Sequence, residues 1–576
     1  MNATDIRSQA ASSGQRHTRT GAQHLVDCLV ANGVRRAFCV PGESYLAVLD
    51  ALSEVRDEID LVVCRHEAGA ANMAEAHGKL TGQPGICFVT RGPGATHAST
   101  GVHTAFQDST PMILFIGQVA RGHAMREAFQ EIDYRSMFGS LAKWVVQIED
   151  PARVPELVSR AFQTAMSGRP GPVVVALPED TLTEAAEAMA ALPARPVSAA
   201  PDAQDIAALG DILEQAERPL LMVGGGGWTE QAASDIRKFA ETFEIPVAVS
   251  FRSQRLFDNR HALYVGDVGV ALNPALADRV KRADLLIVAG PRLGEATTSG
   301  YTLLRSPRPE QRLVHAHPGA EELSSVFQAD LPINSGMPQF AQAVARLAPK
   351  TARTRSAWTM EGRADYDAWT TPHLRPADAP GVDMGAVMAM IRDRVAPDTI
   401  VCNGAGNYAT WVHRFYRYAH FNSQLAPTSG AMGYGLPAAV AAALEHPERT
   451  VLAFGGDGCF LMSAYELATA AQRGLPIVSI VVNNSSFGTI RMHQEMQYPG
   501  RPHGTDLSNP DFAALAAAFG AQAFRVERTD AFGDAFDRAL SVRDRPSLIE
   551  VITDISAITP QRDIAALRGA KARPPS

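Results

Sequence analysis

Short apolar runs alternate with longer, Ala-rich stretches along most of the chain. The runs are rich in Val, Ile and Leu, and each is followed by a turn that contains glycine and then by a helix-like stretch. Continuous apolar runs of this length are typical of buried strands in parallel sheets, because the crossover helices cover both faces of the sheet. The pattern therefore predicts an α/β protein.

This alternation occurs in three segments, which we expect to form three doubly wound parallel-sheet domains. The segments cover residues 17–190, 203–347 and 380–562, and residues 1–16 are a polar stretch that we expect to be a disordered tail. The stretches Ala185–Gln204 and Pro349–Pro380 lack a clear period and are predicted linkers. The strand candidates include Ala37–Val40, Leu61–Cys64, Ile86–Thr90, Met112–Gly117, Val173–Leu177, Leu220–Gly224, Val247–Ser250, Leu285–Gly290, Arg312–Ala316, Thr399–Cys402, Val451–Gly455, Ile477–Val482 and Leu548–Ile552.

The composition excludes some classes of partner and favours one cellular compartment. The net charge of the 576 residues is −8 and no block of Lys or Arg occurs, which argues against a nucleic acid or an anionic membrane as partner. No run of 18 apolar residues and no secretory signal is present, so we expect no membrane span. The six cysteines form no CxxC pair, which suits a reducing cytoplasm.

The strongest chemical signal is Gly455-Gly456-Asp457-Gly458, which 24 residues separate from Asn483-Asn484. Val451–Gly455 and Ile477–Val482 are predicted parallel strands, with a helix predicted over Ser463–Gly474, so both motifs end strands of one βαβ unit. Ligands of open α/β sheets bind at that edge. Glycines allow a phosphate to approach the backbone, and Asp and Asn oxygens are ligands for Mg²⁺. Each motif taken alone is more often a simple turn.

Together, the two motifs resemble the signature of the thiamine-diphosphate enzymes. The resemblance implies that Asp457, the Asn484 side chain and the Ser486 carbonyl hold Mg²⁺, beside the diphosphate of the cofactor. It implies further diphosphate contacts, which would come from Gly458, Cys459, Asn407 and Tyr408. Acetolactate synthases usually carry Gln-His where Asn407-Tyr408 stands.

A second motif resembles the activating glutamate of the same family. Glu67 follows the predicted strand Leu61–Cys64 and begins the predicted helix Ala68–Leu80. In the family this carboxyl meets the aminopyrimidine nitrogen of the cofactor and must share a proton near neutral pH, which desolvation makes possible. The alternative is an ordinary Glu that favours a helix N-terminus.

The stretch Gly430–Pro437 resembles the segment that bends the cofactor. The resemblance implies that Met432 is the apolar wedge and that the Gly430 carbonyl accepts a hydrogen bond from the 4′-amino group. The alternative is a glycine-rich turn with a core methionine.

Within the family the chain resembles the acetolactate synthase large subunit over nearly its whole length. The resemblance places Phe129 and Gln130 on the substrate side of the cofactor. The run Arg292–Ala296 departs from it, because the arginine that handles the acceptor keto acid is absent, and His493 stands where a tryptophan is usual. Glu43 also departs, since the synthases carry a small residue there; it is either a second acid/base or a solvated turn residue.

Acetolactate synthases bind a non-redox FAD in the central domain, and the resemblance leaves open whether this chain does so. Gly224–Gly227 and Arg169 fit such a site, whereas His315–Pro318 stands where the family tends to have Asp-containing runs. A glycine run after a strand is in itself a weak signal.

These features predict a thiamine-diphosphate- and Mg²⁺-dependent carboligase or lyase that acts on a small 2-keto acid or aldehyde through a covalent C2 adduct. The resemblance implies an N-terminal pyrimidine-binding domain, a central domain and a C-terminal diphosphate-binding domain. It also implies a homodimer or homotetramer with the site at the subunit interface. Two alternatives stay open: a 2-keto-acid decarboxylase without carboligation, and a non-catalytic paralogue kept as an assembly subunit.

Overall fold

A computed structural model describes residues 16–351, 354–376 and 378–571 of the chain. The chain divides into two compact units, Met1–Ser198 and Ala199–Ser576. The first unit contains one six-stranded sheet, and the second unit contains two. Each of these sheets is parallel throughout, so the α/β fold class and the three parallel sheets are confirmed.

The sheet of the first unit has the strand order β3-β2-β4-β5-β7-β6. Its strands are β2 (Arg36–Cys39), β3 (Asp60–Val63), β4 (Gly85–Val89), β5 (Met112–Gln118), β6 (Trp144–Gln147) and β7 (Pro172–Pro178). The helices of this unit are α1 (Gly21–Ala31), α2 (Leu46–Ser53), α3 (Glu67–Thr81), α4 (Gly92–Asp108), α5 (Tyr134–Phe138), α6 (Val154–Met166) and α7 (Glu179–Thr183). The strands β4, β5 and β7 are buried along their whole length, as continuous apolar runs require.

A two-stranded antiparallel ribbon joins the two ends of this unit. Strand β1 (Arg16–Thr20) pairs with β8 (Ala185–Met189), and Arg16 lies opposite Met189. The predicted tail therefore ends before Arg16, and its residues 1–15 lie outside the described part of the chain. The first five residues of the predicted linker from Ala185 form β8, because β1 supplies hydrogen-bond partners that a pattern within the linker does not reveal.

The second unit contains the sheets β11-β10-β9-β12-β13-β14 and β16-β15-β17-β18-β20-β19. The central strands are β9 (Pro219–Val223), β10 (Val247–Ser250), β11 (Tyr264–Val268), β12 (Leu285–Ala289), β13 (Arg312–His317) and β14 (Leu331–Asn334). The C-terminal strands are β15 (Ile400–Asn403), β16 (Gln424–Leu425), β17 (Val451–Gly456), β18 (Ile477–Asn483), β19 (Gln522–Val526) and β20 (Ser547–Ile552).

Helices cover both faces of these two sheets. They are α8 (Ala203–Gln215), α9 (Glu230–Phe243), α10 (Pro274–Arg282), α11 (Met337–Val344), α12 (Ser356–Trp369), α13 (Met384–Arg394), α14 (Tyr408–Phe415), α15 (Gly435–Glu445), α16 (Asp457–Leu461), α17 (Glu466–Gln472), α18 (Gly488–Gln497), α19 (Phe512–Ala518), α20 (Phe532–Ser541) and α21 (Ile564–Lys571). The helix predicted over Ser463–Gly474 is the short α17, and α16 precedes it directly after the glycine turn.

Helix α12 lies within the second predicted linker, so the linker interpretation is wrong for that part. The Trp358 indole N–H donates to the Pro219 carbonyl at 2.9 Å, and the Arg279 guanidinium stacks on the Trp358 ring with a separation of 4.1 Å. The helix packs by a few large contacts instead of a regular apolar stripe, which explains why the pattern did not predict it.

Candidate active site

The predicted metal residues meet at the carboxyl edge of the C-terminal sheet. Strands β17 and β18 pair in parallel up to Gly456 and Val482, so Asp457 and Asn484 follow two adjacent strand ends. Asp457 is buried, and its Oδ2 accepts from the Ser486 amide at 3.2 Å. The Asn484 side-chain oxygen accepts from the same amide at 3.1 Å. The structure thus gathers Asp457, Asn484 and Ser486 around one point.

The two consecutive asparagines have different surroundings. The Asn483 side chain donates to the buried Glu550 carboxylate at 2.8 Å and so faces the sheet. Asn484 instead lines a cavity that Asp457 and Ser486 also line. Asn509, which the sequence analysis did not propose as a site residue, donates from Nδ2 to Asp457 Oδ2 and to the Asn483 side-chain oxygen, each at 2.9 Å. An amide that bridges two acceptors keeps both side chains in place.

The chemistry of these donors fits a hard divalent cation. Burial raises the pKa of Asp457, although hydrogen bonds from Asn509, Gly458 and Ser486 lower it in part. A desolvated carboxylate of this kind is stabilised by a bound cation. The Asn509 Oδ1 atom is buried and has no partner among the described residues, which leaves one more oxygen acceptor at the site. Carboxylate and amide oxygens are the ligands that Mg²⁺ takes together with phosphate and water.

Cys459 connects three loops of the site. Its sulfur lies 3.3 Å from the Tyr408 hydroxyl and accepts from the Gly433 amide at 3.3 Å. A Cβ on Gly404 would lie 2.6 Å from this sulfur, so the loop after β15 approaches it closely. The Tyr408 side chain is buried, and its hydroxyl is engaged by Cys459.

Asn407 ties the loop after β15 to two later segments. Its Nδ2 donates to the Ile558 carbonyl at 3.0 Å, and its Oδ1 accepts from the Thr489 hydroxyl at 3.0 Å. Both atoms of the amide are therefore engaged within the protein. The sequence motif that suggested Asn407 gave no sign of these two partners, because they lie about 80 and 150 residues away in the chain.

A cavity of about 310 Å³ lies over these loops and brings together the predicted residues of the C-terminal segment. It is lined by Asn407, Tyr408, Gly430, Met432, Asp457, Gly458, Cys459, Asn484 and Ser486. Gly458 has to be glycine because a Cβ there would lie 2.5 Å from the Phe487 ring, which also lines the cavity. Gly430 has a φ of 69°, a left-handed conformation that glycine adopts without strain.

The first unit carries the second group of predicted residues at the carboxyl edge of its own sheet. Glu67 is the first residue of α3, and its side chain is 13% exposed. His97 of α4 lies with Nδ1 2.9 Å from the Glu67 Oε2 atom. His66 accepts from the Ala68 amide at 3.1 Å as the cap of α3, and its ring stacks on His97 with a centroid separation of 4.4 Å. His97 is a residue that the sequence analysis missed.

Glu43 lies at the same edge, in the short turn that follows β2. Its side chain is 69% exposed, and its Oε1 atom is 3.8 Å from the Arg91 guanidinium. Arg91 also donates to Glu179 at 2.6 Å. The exposure fits a solvated residue as well as an acid/base, so the role of Glu43 stays a prediction.

Phe129 and Gln130 belong to a strained loop that follows β5. Phe129 is 70% exposed, and Gln130 has a φ of 65°. The Gln130 carbonyl accepts from the Gly92 amide at 2.9 Å, which holds the loop against the start of α4. Glu131 accepts from the amides of Met125 and Ala128, and these hydrogen bonds lower the pKa of its carboxyl. An ordered loop with an exposed aromatic tip is suited to contact a ligand.

The side chains considered for flavin are engaged within the protein. The His315 Nε2 atom lies 3.0 Å from the Pro291 carbonyl, and burial lowers the pKa of His315 to about 4. The Trp228 indole donates to the Gly224 carbonyl at 2.7 Å and lies over the glycine turn. Arg169 donates to the Ser109 hydroxyl and to the Phe106 carbonyl in the first unit. These contacts do not favour a flavin.

None of the helices in the described part of the chain is both long and apolar enough to cross a membrane.

Three family models match the chain in the order of its sheets. They are the N-terminal TPP binding domain of thiamine pyrophosphate enzymes at residues 19–137, the central domain at 206–344 and the C-terminal TPP binding domain at 404–551.

Curated relatives match over most of the chain. The acetolactate synthase large subunit of Parasynechococcus marenigrum is 34% identical, over 88% of this chain and 84% of its own length. That of Corynebacterium glutamicum is 32% identical, over 92% and 86%. The isozyme 2 large subunit of Escherichia coli is 30% identical, over 93% and 95%.

Proposed function

The chain belongs to the thiamine pyrophosphate enzymes and is acetolactate synthase-like, and we propose that it is a Mg²⁺-dependent carboligase or lyase for a small 2-keto acid or aldehyde. The observation that carries this proposal is the cavity over β17 and β18, where every predicted cofactor and metal residue of the C-terminal segment lies. Bound thiamine diphosphate would supply a thiazolium carbon nucleophile and an electron sink for bonds next to a carbonyl.

The residues of the cavity would hold the cofactor. Asp457, Asn484 and the Ser486 carbonyl would bind Mg²⁺, and the ion would neutralise both the buried carboxylate and the diphosphate. Met432 would support the bent cofactor from below, and the Gly430 carbonyl would orient its amino group. The Asn407 and Tyr408 side chains are engaged by protein partners, so we assign the diphosphate contact to the backbone of their loop.

Residues of the first unit would move protons and contact the substrate. Glu67, whose side chain is 13% exposed, would share a proton with the aminopyrimidine ring. Phe129 and Gln130 would line the substrate side, and Glu43 is the candidate for a second proton transfer.

We propose that the active unit is a homodimer or homotetramer in which Glu67 and Asp457 of one site come from different copies. Two inactive variants, Glu67→Gln and Asp457→Ala, test this arrangement when they are mixed under conditions of subunit exchange. Random exchange makes about half of the dimers mixed, and each mixed dimer contains one intact site and one site that lacks both residues. About a quarter of the wild-type activity should therefore return. If each copy contains its own complete site, mixing restores nothing.

Product analysis separates the candidate reactions. We expect incubation with pyruvate or a longer 2-keto acid, thiamine diphosphate and Mg²⁺ to give a carbon–carbon coupled product. Free aldehyde as the sole product would instead support the 2-keto-acid decarboxylase, which the absent acceptor arginine at Arg292–Ala296 favours. A non-catalytic paralogue would turn over none of a panel of keto acids, aldehydes and 2-hydroxyacyl thioesters, although it binds the cofactor. The cytoplasm is the compartment that we propose for this reaction.

A further inference from the structure

We propose that His97 is a positioning residue for Glu67: its imidazole holds one carboxylate oxygen and thereby presents the other to the cofactor. This inference rests on the proposed function, in which Glu67 shares a proton with the aminopyrimidine ring. His97 lies 30 residues after Glu67 and outside the motif that surrounds it.

The hydrogen bond between the two residues commits one oxygen of the carboxylate. His97 Nδ1 lies 2.9 Å from Oε2. The second oxygen, Oε1, lies on the side of Gly94, where a Cβ would be at an ordinary contact distance of 3.6 Å. Oε1 has no hydrogen-bond partner among the described residues, since the contact with His97 uses Oε2. The carboxylate therefore has one oxygen held by the protein and one that is available to a ligand.

The packing of α3 against α4 fixes this geometry. A Cβ on Gly101 of α4 would lie 2.4 Å from the Ala71 Cβ of α3, so the two helices approach closely at small residues. Such contact leaves little freedom for one helix to slide along the other. Since Glu67 begins α3 and His97 lies in the second turn of α4, their separation is set by the helices and not by a flexible loop.

The ring of His66 limits the rotation of the His97 ring. His66 Nδ1 accepts from the Ala68 amide, so that nitrogen is unprotonated. Burial lowers the pKa of His66, and the neighbouring His97 lowers it further. The neutral His66 ring stacks on His97 and limits its rotation, which keeps Nδ1 directed at the carboxylate.

A divalent cation is the competing occupant of this cluster. Ligand atoms of His66, Glu67 and His97 lie within 4.8 Å of one another, a spacing that a metal ion could bridge. His66 Nδ1 is, however, occupied by the helix cap, and a ligand bond from its other nitrogen would require the proton to move to Nδ1. The hydrogen-bonded arrangement therefore fits the cluster better.

The test compares His97→Ala and His97→Gln with wild type in the full-length protein. His103→Ala is the matched control, because His103 is an exposed histidine on the same helix. Thermal unfolding checks that each variant folds. Calorimetric titration measures binding of thiamine diphosphate with Mg²⁺, and NMR measures the exchange of the C2 proton of the bound cofactor with deuterium. A second titration uses Zn²⁺ alone.

We expect His97→Ala to bind the cofactor within about threefold of wild type and to slow C2 exchange by about 100-fold, the scale of a misplaced catalytic group. His97→Gln, which keeps an N–H donor, should recover part of that loss, and His103→Ala should match wild type. Exchange at the wild-type rate in His97→Ala would overturn the inference. So would stoichiometric Zn²⁺ binding that His97→Ala abolishes. If wild type itself fails to bind thiamine diphosphate, the proposed function falls and this inference falls with it.

Discussion

Replacement of Glu495 by Gln should release the C-terminal helix α21. The Glu495 side chain is completely buried in α18, where Arg568 of α21 donates to both carboxylate oxygens at 2.7 Å. Arg491 and the Gly500 amide add bonds at 3.0 and 2.8 Å. The residues that precede α21 line the cavity, and the Ile558 carbonyl holds Asn407. This ion pair therefore connects the end of the chain to the cofactor loops.

The magnitude follows from the pKa of Glu495. The hydrogen bonds from Arg568, followed by those from Gly500 and Arg491, lower this pKa from 4.5 to about 2. At about 1.4 kcal/mol per pKa unit, these bonds together favour the charged form by about 3 kcal/mol, and the Arg568 bonds, the largest single contribution, are the part that holds α21. A lowered carboxyl pKa gives stability that is fully present above pH 4.5 and is lost as the pH falls toward 2.

Hydrogen–deuterium exchange of the α21 amides, read by mass spectrometry, measures this local stability. At neutral pH we expect Glu495→Gln to lose the Arg568 share of the about 3 kcal/mol, and the difference from wild type should close as the pH falls below 4.5. Glu527→Gln is the matched control, because Glu527 is exposed and forms a surface pair with Arg525 that should contribute about 1 kcal/mol or less. Equal protection of wild type and Glu495→Gln at neutral pH, or a difference that does not change with pH, would refute the reasoning.

Three further outcomes are expected. Glu67→Gln should keep the fold and bind the cofactor but lose activity by about 100-fold or more, because the amide cannot share a proton; turnover at the wild-type rate would contradict the role of Glu67. Asp457→Ala should weaken Mg²⁺-dependent cofactor binding by at least about tenfold, as measured by titration, and an unchanged affinity would exclude the metal assignment. The purified protein should release no FAD on extraction, since the Gly224 and His315 region is engaged by protein contacts; one equivalent of flavin per chain would show that these contacts rearrange.

The interior strands were predictable from the sequence, and most edge strands were not. Candidates such as Val451–Gly455 and Ile477–Val482 agree with β17 and β18 to within one residue, because a strand buried on both faces needs a continuous apolar run. In the three six-stranded sheets, the strands without a candidate, β6, β11, β14, β16 and β19, all lie at sheet edges. Edge strands pair on one side only and tolerate Pro, Gly and charged residues, as in the sequence of β11, YVGDV.

The residues of the site also divide into those that the sequence predicted and those that it did not. Short motifs predicted the residues that follow strand ends, such as Asp457 and Glu67, because topology fixes where a strand ends. The motifs did not predict the residues that hydrogen-bond to these side chains from distant parts of the chain, such as His97 and Asn509. Only the fold shows that the Asn509 amide bridges Asp457 and Asn483.

Isothermal titration of the apo-protein with thiamine diphosphate, in the presence and absence of Mg²⁺, tests the central claim most directly. We predict saturable binding near one equivalent per chain that depends on Mg²⁺ and that Asp457→Ala weakens. Binding that is absent in both conditions would contradict the account of the cavity over β17 and β18 as a thiamine diphosphate site.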